Sequence, residues 1–319
     1  MFGNKLVTDM ISRSAENGAD RRAFLRTAGV AGLGVVGATA LASPAAATGN
    51  GGGSGGGSGA ISDSAILNFA LNLEYLEAEF YSRAFYGRGL DDGLTTGKLN
   101  RGEVTGGAKV HFRSKLVRGL AEEIANDEIA HVKFLRSALG DAAVARPAID
   151  FTGAFTAAAK AAGLIGEGQS FDAFKDDQSF LLGAFLFEDV GVTAYKGGAP
   201  LISSKTYLDA AAGILAVEAY HAGAVRTVIY TDGLADAANK ISDARDSLDG
   251  RDDLDQGVSQ AKGRINTTPV DGNAIAFGRT PQQVHNIAYL NPAQGVRSGG
   301  FFPAGTNNGN AALRRSAAN

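Results

Sequence analysis

Two tetrads in this chain pair a glutamate with a histidine three residues on, Glu128-Ile129-Ala130-His131 and Glu218-Ala219-Tyr220-His221. At helical pitch each pair lies on one face, a turn apart, so one oxygen and one nitrogen can be offered to the same ion. Eleven glutamates and four histidines in 319 residues would give roughly 0.14 such pairs by chance. Two more glutamates, Glu74 and Glu188, each fall on an apolar stripe at helical spacing. A glutamate in a helical core is costly unless its charge is matched, and four would repel one another. Two divalent cations neutralise four carboxylates. The chain has no cysteine, which removes disulfides, zinc–thiolate sites, iron–sulfur clusters and thiol nucleophiles. A metal must therefore rest on carboxylates and imidazoles, a set that suits iron or manganese better than zinc. The expected ligands are Glu74, Glu128, His131, Glu188, Glu218 and His221. Glu74 and Glu188 are expected to bridge two ions, while each Glu-x-x-His anchors one.

The elements that must carry these residues follow from apolar spacing. Leu67, Ala70, Glu74, Ala78 and Tyr81 share a face, which predicts a helix over 63–86 with Asp63 as its cap. Ala121, Ile124, Glu128, Val132 and Leu135 predict a second over 109–139, stopped by Gly140. Leu181, Ala184, Glu188, Val192 and Tyr195 predict a third over 177–197, capped by Asp176 or Asp177 and ended by Gly197-Gly198. Ala211, Ile214, Glu218, Ala222 and Val225 predict a fourth over 204–230, opened by Ser203 or Ser204. The fold class is thus all-α, a four-helix bundle over 61–232 built as a duplicated hairpin, with residues 140–175 as its one long crossover and a short helix near 155–164 inside it. Residues 233–319 read as a loop-rich cover, with a solvated acidic stretch at 242–255 and a short helix opened by Thr280-Pro281 that carries His285. His111 reads as a surface or packing residue. Glu77 competes with Glu74 for the first ligand position or sits behind it. Glu74 is favoured because Glu74 and Glu188 each have a tyrosine seven residues on, Tyr81 and Tyr195, whereas Glu77 aligns with Gly191. The two tyrosines read as core groups packed beside the ligands, with satisfied hydroxyls.

The order Glu, Glu-x-x-His, Glu, Glu-x-x-His is that of ferritin-like di-iron and di-manganese bundles. More specifically, the chain resembles the ferritin-like desiccation-related family in Leu71-Asn72-Leu73-Glu74-Tyr75-Leu76-Glu77-Ala78-Glu79-Phe80-Tyr81, Asp127-Glu128-Ile129-Ala130-His131-Val132, Phe187-Glu188-Asp189-Val190-Gly191 and Glu218-Ala219-Tyr220-His221. The resemblance continues through Phe277-Gly278-Arg279-Thr280-Pro281-Gln282-Gln283-Val284 and Gly300-Phe301-Phe302-Pro303-Ala304-Gly305, and so covers roughly residues 61–310. It implies a fold more strongly than a reaction. The expected chemistry is redox protection at a dimetal centre, with peroxide, dioxygen or ferrous iron as substrate, of manganese-catalase or ferroxidase type. A non-catalytic stress protectant braced by metal is the alternative, and mineralising iron storage ranks below both.

Asp20-Arg21-Arg22-Ala23-Phe24-Leu25-Arg26, an uncharged Ala/Gly/Val stretch and Ser43-Pro44-Ala45-Ala46-Ala47 resemble a twin-arginine export signal over 1–47. That predicts passage through the twin-arginine translocase to the periplasm or outside the cell, with no membrane span after cleavage. Gly32-Leu33-Gly34-Val35-Val36-Gly37 lies in the same stretch. With no strand before it and no βαβ pattern after it, it is not a dinucleotide site. Residues 48–60 are a glycine–serine spacer. A net charge of −3 leaves no basic surface for nucleic acid. The oligomeric state stays open at this point, a dimer being one option.

Overall fold

The computed structural model describes residues 61–317, so the expected export signal and the whole of the spacer lie outside the described residues. Four long helices carry the fold: α1 (Asp63–Tyr86), α3 (Lys115–Leu139), α5 (Asp177–Gly198) and α6 (Lys205–Thr231). Between α1 and α3 come a single turn, α2 (Asp92–Thr95), and a two-residue strand, β1 (Val104–Thr105). Helix α1 packs chiefly on α3 and α5 on α6, giving two hairpins that meet along α1–α5 and α3–α6. Their apolar stripes, including Leu67, Ile124, Leu181 and Val225, are buried in one core.

The helix starts show how the two hairpins are locked. Ser62, not Asp63, caps α1, its hydroxyl accepting from the Ala65 amide at 3.3 Å. Asp63 is used elsewhere, accepting from the amides of Ser203 at 2.8 Å and Ser204 at 2.9 Å, where α6 begins. Asp177 does the same for α3, accepting from the amides of Arg113 at 3.1 Å and Ser114 at 3.0 Å. The first residue of one hairpin thus satisfies the orphan amides that open the second helix of the other, in both directions. This is also why α3 starts at 115 and not at 109: residues 106–114 are not helical, with the Val110 amide bonded to the Ala84 carbonyl at 2.8 Å, and Ser114 then caps the helix.

The crossover holds β2 (Ile149–Asp150), paired parallel to β1, and α4 (Thr152–Ala161). Helix α4 begins three residues earlier than the apolar pattern suggests, because Asp150 accepts from the amides of Thr152 and Gly153. Phe155 then packs between Phe80 of α1 and Phe187 of α5, 5.5 Å from each ring.

The C-terminal segment departs from expectation. It holds α7 (Ala235–Asp249), a short antiparallel pair, β3 (Ser259–Gln260) and β4 (Arg264–Ile265), and α8 (Pro281–Ala288). Thr280 and Gln283 form a capping box at α8. The stretch 242–255 is a solvated acidic surface only in part: Asp243, Asp252 and Asp253 are exposed, whereas Ser242, Arg245, Asp249 and Asp255 are buried. Asp255 pairs with Arg245 at 2.7 Å and Arg279 at 2.9 Å, and Asp249 pairs with Arg279. Asp189 of α5 binds Arg226 of α6 and Arg245 of α7, each at 2.7 Å. Asp189, Asp249 and Asp255 are buried because Arg226, Arg245 and Arg279 neutralise them, a pairing across segments that local sequence does not display.

Candidate metal centre

Each long helix delivers one glutamate to the bundle axis. Glu74, Glu128 and Glu218 have no solvent exposure and Glu188 is 1% exposed, whereas His131 and His221 keep 9% and 6%. The structure brings all six expected residues together. One group, Glu74, Glu128, His131 and Glu218, and a second, Glu128, Glu188 and His221, each place one ligand atom per residue within 4.8 Å of the others.

The division of roles differs from the sequence expectation. His131 Nδ1 lies 3.2 Å from Glu74, 3.3 Å from Glu128 and 3.7 Å from Glu218. His221 Nδ1 lies 3.3 Å from Glu128 and 3.5 Å from Glu188. Glu128 is therefore the carboxylate common to both groups, while Glu74 and Glu188 each face one imidazole. The reason is in the packing: α3, which carries Glu128, pairs with α1 in one hairpin and meets α6 of the other, so its carboxylate reaches the imidazoles of both Glu-x-x-His tetrads.

Tyr81 and Tyr195 are buried and exchange helices. The Tyr81 hydroxyl donates to Glu188, and that of Tyr195 donates to Glu74. Each outer glutamate thus has one oxygen fixed by the other hairpin. Glu77 is buried but joins neither group. It sits near Glu218 across Gly191, where an added methyl would lie 2.3 Å from Glu218 Oε2 and 3.3 Å from Glu77 Oε1. His111 is exposed, and His285 is buried away from the cluster, bonded to Thr306 at 3.0 Å and to the Pro281 carbonyl.

Two further residues belong to the site. Asp127 Oδ2 lies 3.1 Å from His221 Nε2, the ring nitrogen that points away from the cluster. Such a carboxylate fixes the tautomer and turns Nδ1 inward. Its position beside Glu128 was visible in sequence, but its partner is 94 residues away. Gly191 is the second, required because Glu218 and Glu77 occupy the space a side chain would fill.

The electrostatics describe a site built for cations. Burial, then repulsion from Glu128, raises the Glu74 carboxyl. Burial also pushes Glu77, Glu188 and Glu218 up. Burial would lower the imidazoles, but the surrounding carboxylates, Glu74 foremost for His131 and Glu188 foremost for His221, push them up to about 11 and about 12. Five inward atoms, Glu128 Oε1, Glu188 Oε2, both Glu218 oxygens and His221 Nδ1, have no hydrogen-bond partner. His221 Nδ1 and Glu128 Oε1 are only 3.3 Å apart yet not aligned on each other, as expected of groups that face a common third point. Unpartnered buried acceptors are expensive, and this donor set of four carboxylates and two imidazoles fits two divalent ions.

Comparison with known proteins agrees with that geometry. The family profile described as "Ferritin-like domain" matches residues 62–231. The chain is 31% identical over 240 residues to the desiccation-related protein PCC13-62 of Craterostigma plantagineum, spanning 70% of this chain and 76% of that protein. It is 25% identical over 264 residues to the ferritin-like catalase Nec2 of Nesocodon mauritianus, spanning 77% of this chain and 84% of that one.

Proposed function

Because the chain belongs to the ferritin-like desiccation-related family, we propose that it is an exported dimetal protein that disproportionates hydrogen peroxide, with two iron or manganese ions held by Glu74, Glu128, His131, Glu188, Glu218 and His221. The observation that carries this reading is the buried cluster of four carboxylates and two imidazoles with five unpartnered atoms turned inward. The name of one relative, a ferritin-like catalase, favours peroxide over ferrous iron as substrate. In the balanced reaction one peroxide gives up two electrons and two protons to become dioxygen, and a second takes them up to become two waters. No outside reductant is needed. A bound metal pair would supply the two-electron exchange.

The chain's own residues set the conditions. Tyr81 and Tyr195 hold one oxygen each of Glu188 and Glu74, leaving the other free to face an ion. Asp127 orients His221. Glu128 belongs to both groups and would hold the two ions close to one another. The two imidazoles retain the most exposure of the six, so a small polar oxidant approaches from the α3–α6 side.

Protein purified from its native compartment should carry two iron or manganese ions per chain and evolve dioxygen from peroxide, and His131→Ala and His221→Ala should lower metal content and abolish turnover. Fully loaded wild-type protein that evolves no dioxygen would leave the metals a bracing role only. Export is tested separately: lysine at both Arg21 and Arg22 should retain the protein in the cytoplasm.

A further inference from the structure

On the side of the cluster away from the imidazoles lies a cavity of about 30 Å³ between α1, α5 and α8. Glu77 is the one ionisable residue lining it, and Leu76, Phe187, Val190, Ile287 and Ala288 make most of the wall. All of these are buried. The space would admit roughly two waters, but a water needs two to four polar partners and this wall offers one carboxyl group, so such a cavity stays dry and accepts apolar guests. Only Gly191 and Glu77 separate it from Glu218: both line the cavity, and a methyl at Gly191 would already touch both carboxylates. A second apolar cavity of about 20 Å³ shares Leu73 as a wall and reaches Ala199 and Ile202, which are partly exposed.

We propose that the cavity beneath α8 is a binding site for dioxygen, through which the gas leaves the metal pair. The assignment rests on the peroxide reading above for the source of the gas, and on the cavity itself for its chemistry. Peroxide brings hydrogen-bonding groups that an apolar wall cannot satisfy, whereas dioxygen brings none of consequence. Substrate and product then use opposite sides of the bundle, the imidazole side for peroxide and the α1–α5 side for dioxygen. The C-terminal segment acquires a role in this, since Val284, Ile287, Ala288 and Phe301 form the roof.

The test is xenon-pressurised crystals of the metal-loaded protein together with steady-state oxygen evolution. Xenon should occupy the cavity in the wild type and be lost in Ala288→Leu, whose kcat for oxygen evolution should fall several-fold with metal content and kcat/KM for peroxide unchanged. Ile287→Phe fills the same space and serves if Ala288→Leu does not fold. No xenon in the wild-type cavity, or a filled cavity with unchanged kcat, would overturn the assignment. Xenon bound in a protein that turns over no peroxide would uphold the gas site and sink the peroxide reading instead.

Discussion

His131 and His221 carry charge that bound metal ions would replace. Both imidazoles stay protonated well above neutrality because carboxylates surround them, at about 11 and about 12, and only neutral imidazole and ionised carboxylate bind metal. Binding therefore releases at least the two imidazole protons at pH 7, and the affinity should weaken as pH falls, by about a hundredfold per unit for two protons. Titrations of manganese at several pH values, with proton release followed by indicator dye, check the slope, which should drop by about one proton in His131→Gln. His285 has the opposite sign and another consequence. Burial depresses it from 6.5 to about 4, so the unfolded chain binds a proton that the folded one refuses. Its contribution is fully present above pH 6.5 and is lost as pH falls towards 4, about 3 kcal/mol in all. Urea midpoints between pH 7 and pH 4 should fall less steeply in His285→Gln than in the wild type; equal slopes would show that His285 does not set the acid sensitivity.

Helix α5 is where the bundle and the C-terminal segment are joined most closely. The Arg279 amide donates to the Thr193 carbonyl at 2.9 Å, and a methyl at Gly197 would meet the Arg279 carbonyl oxygen at 1.8 Å. That contact is backbone and cannot swing away. Gly197→Ala should therefore destabilise the protein by about 1–3 kcal/mol through overpacking. Gly198→Ala, where nothing lies within 4 Å, should stabilise by about 0.5–1 kcal/mol, as alanine replaces glycine in a helix. Melting temperatures of the pair decide it, and a loss of equal size in both would mean that helix-end effects, not the close approach, govern the site. The Gly197-Gly198 pair reads from sequence as a helix stop, and α5 does end there. The second reason for Gly197, the chain that crosses it, lies 82 residues further on and leaves no local trace.

Across the whole molecule, three buried arginines and three buried aspartates tie α5, α6, α7 and the approach to α8 into one unit. Removing one member strands its partners, so Arg279→Ala, which orphans Asp249 and leaves Asp255 to Arg245 and Ser242, should cost about 3–5 kcal/mol. Equilibrium unfolding in urea measures it, with Arg88→Ala as the control, since the Arg88–Asp91 pair is exposed and worth little. A small change in Arg279→Ala would mean that the network is solvated in solution. The amino-acid sequence alone determined the four helices, their order and the six residues that converge, because helical spacing and Glu-x-x-His are local patterns within a few turns. Tertiary structure decided what local patterns cannot hold. Glu128 belongs to both groups because α3 packs on α1 and also meets α6. Asp127 serves a histidine on another helix, Gly191 clears space for Glu218, and Asp249 and Asp255 of the acidic stretch are buried against Arg279 from a distant segment. The apolar cavity exists only once α8 closes over α1 and α5, since empty space is a property of packed surfaces and of no residue by itself.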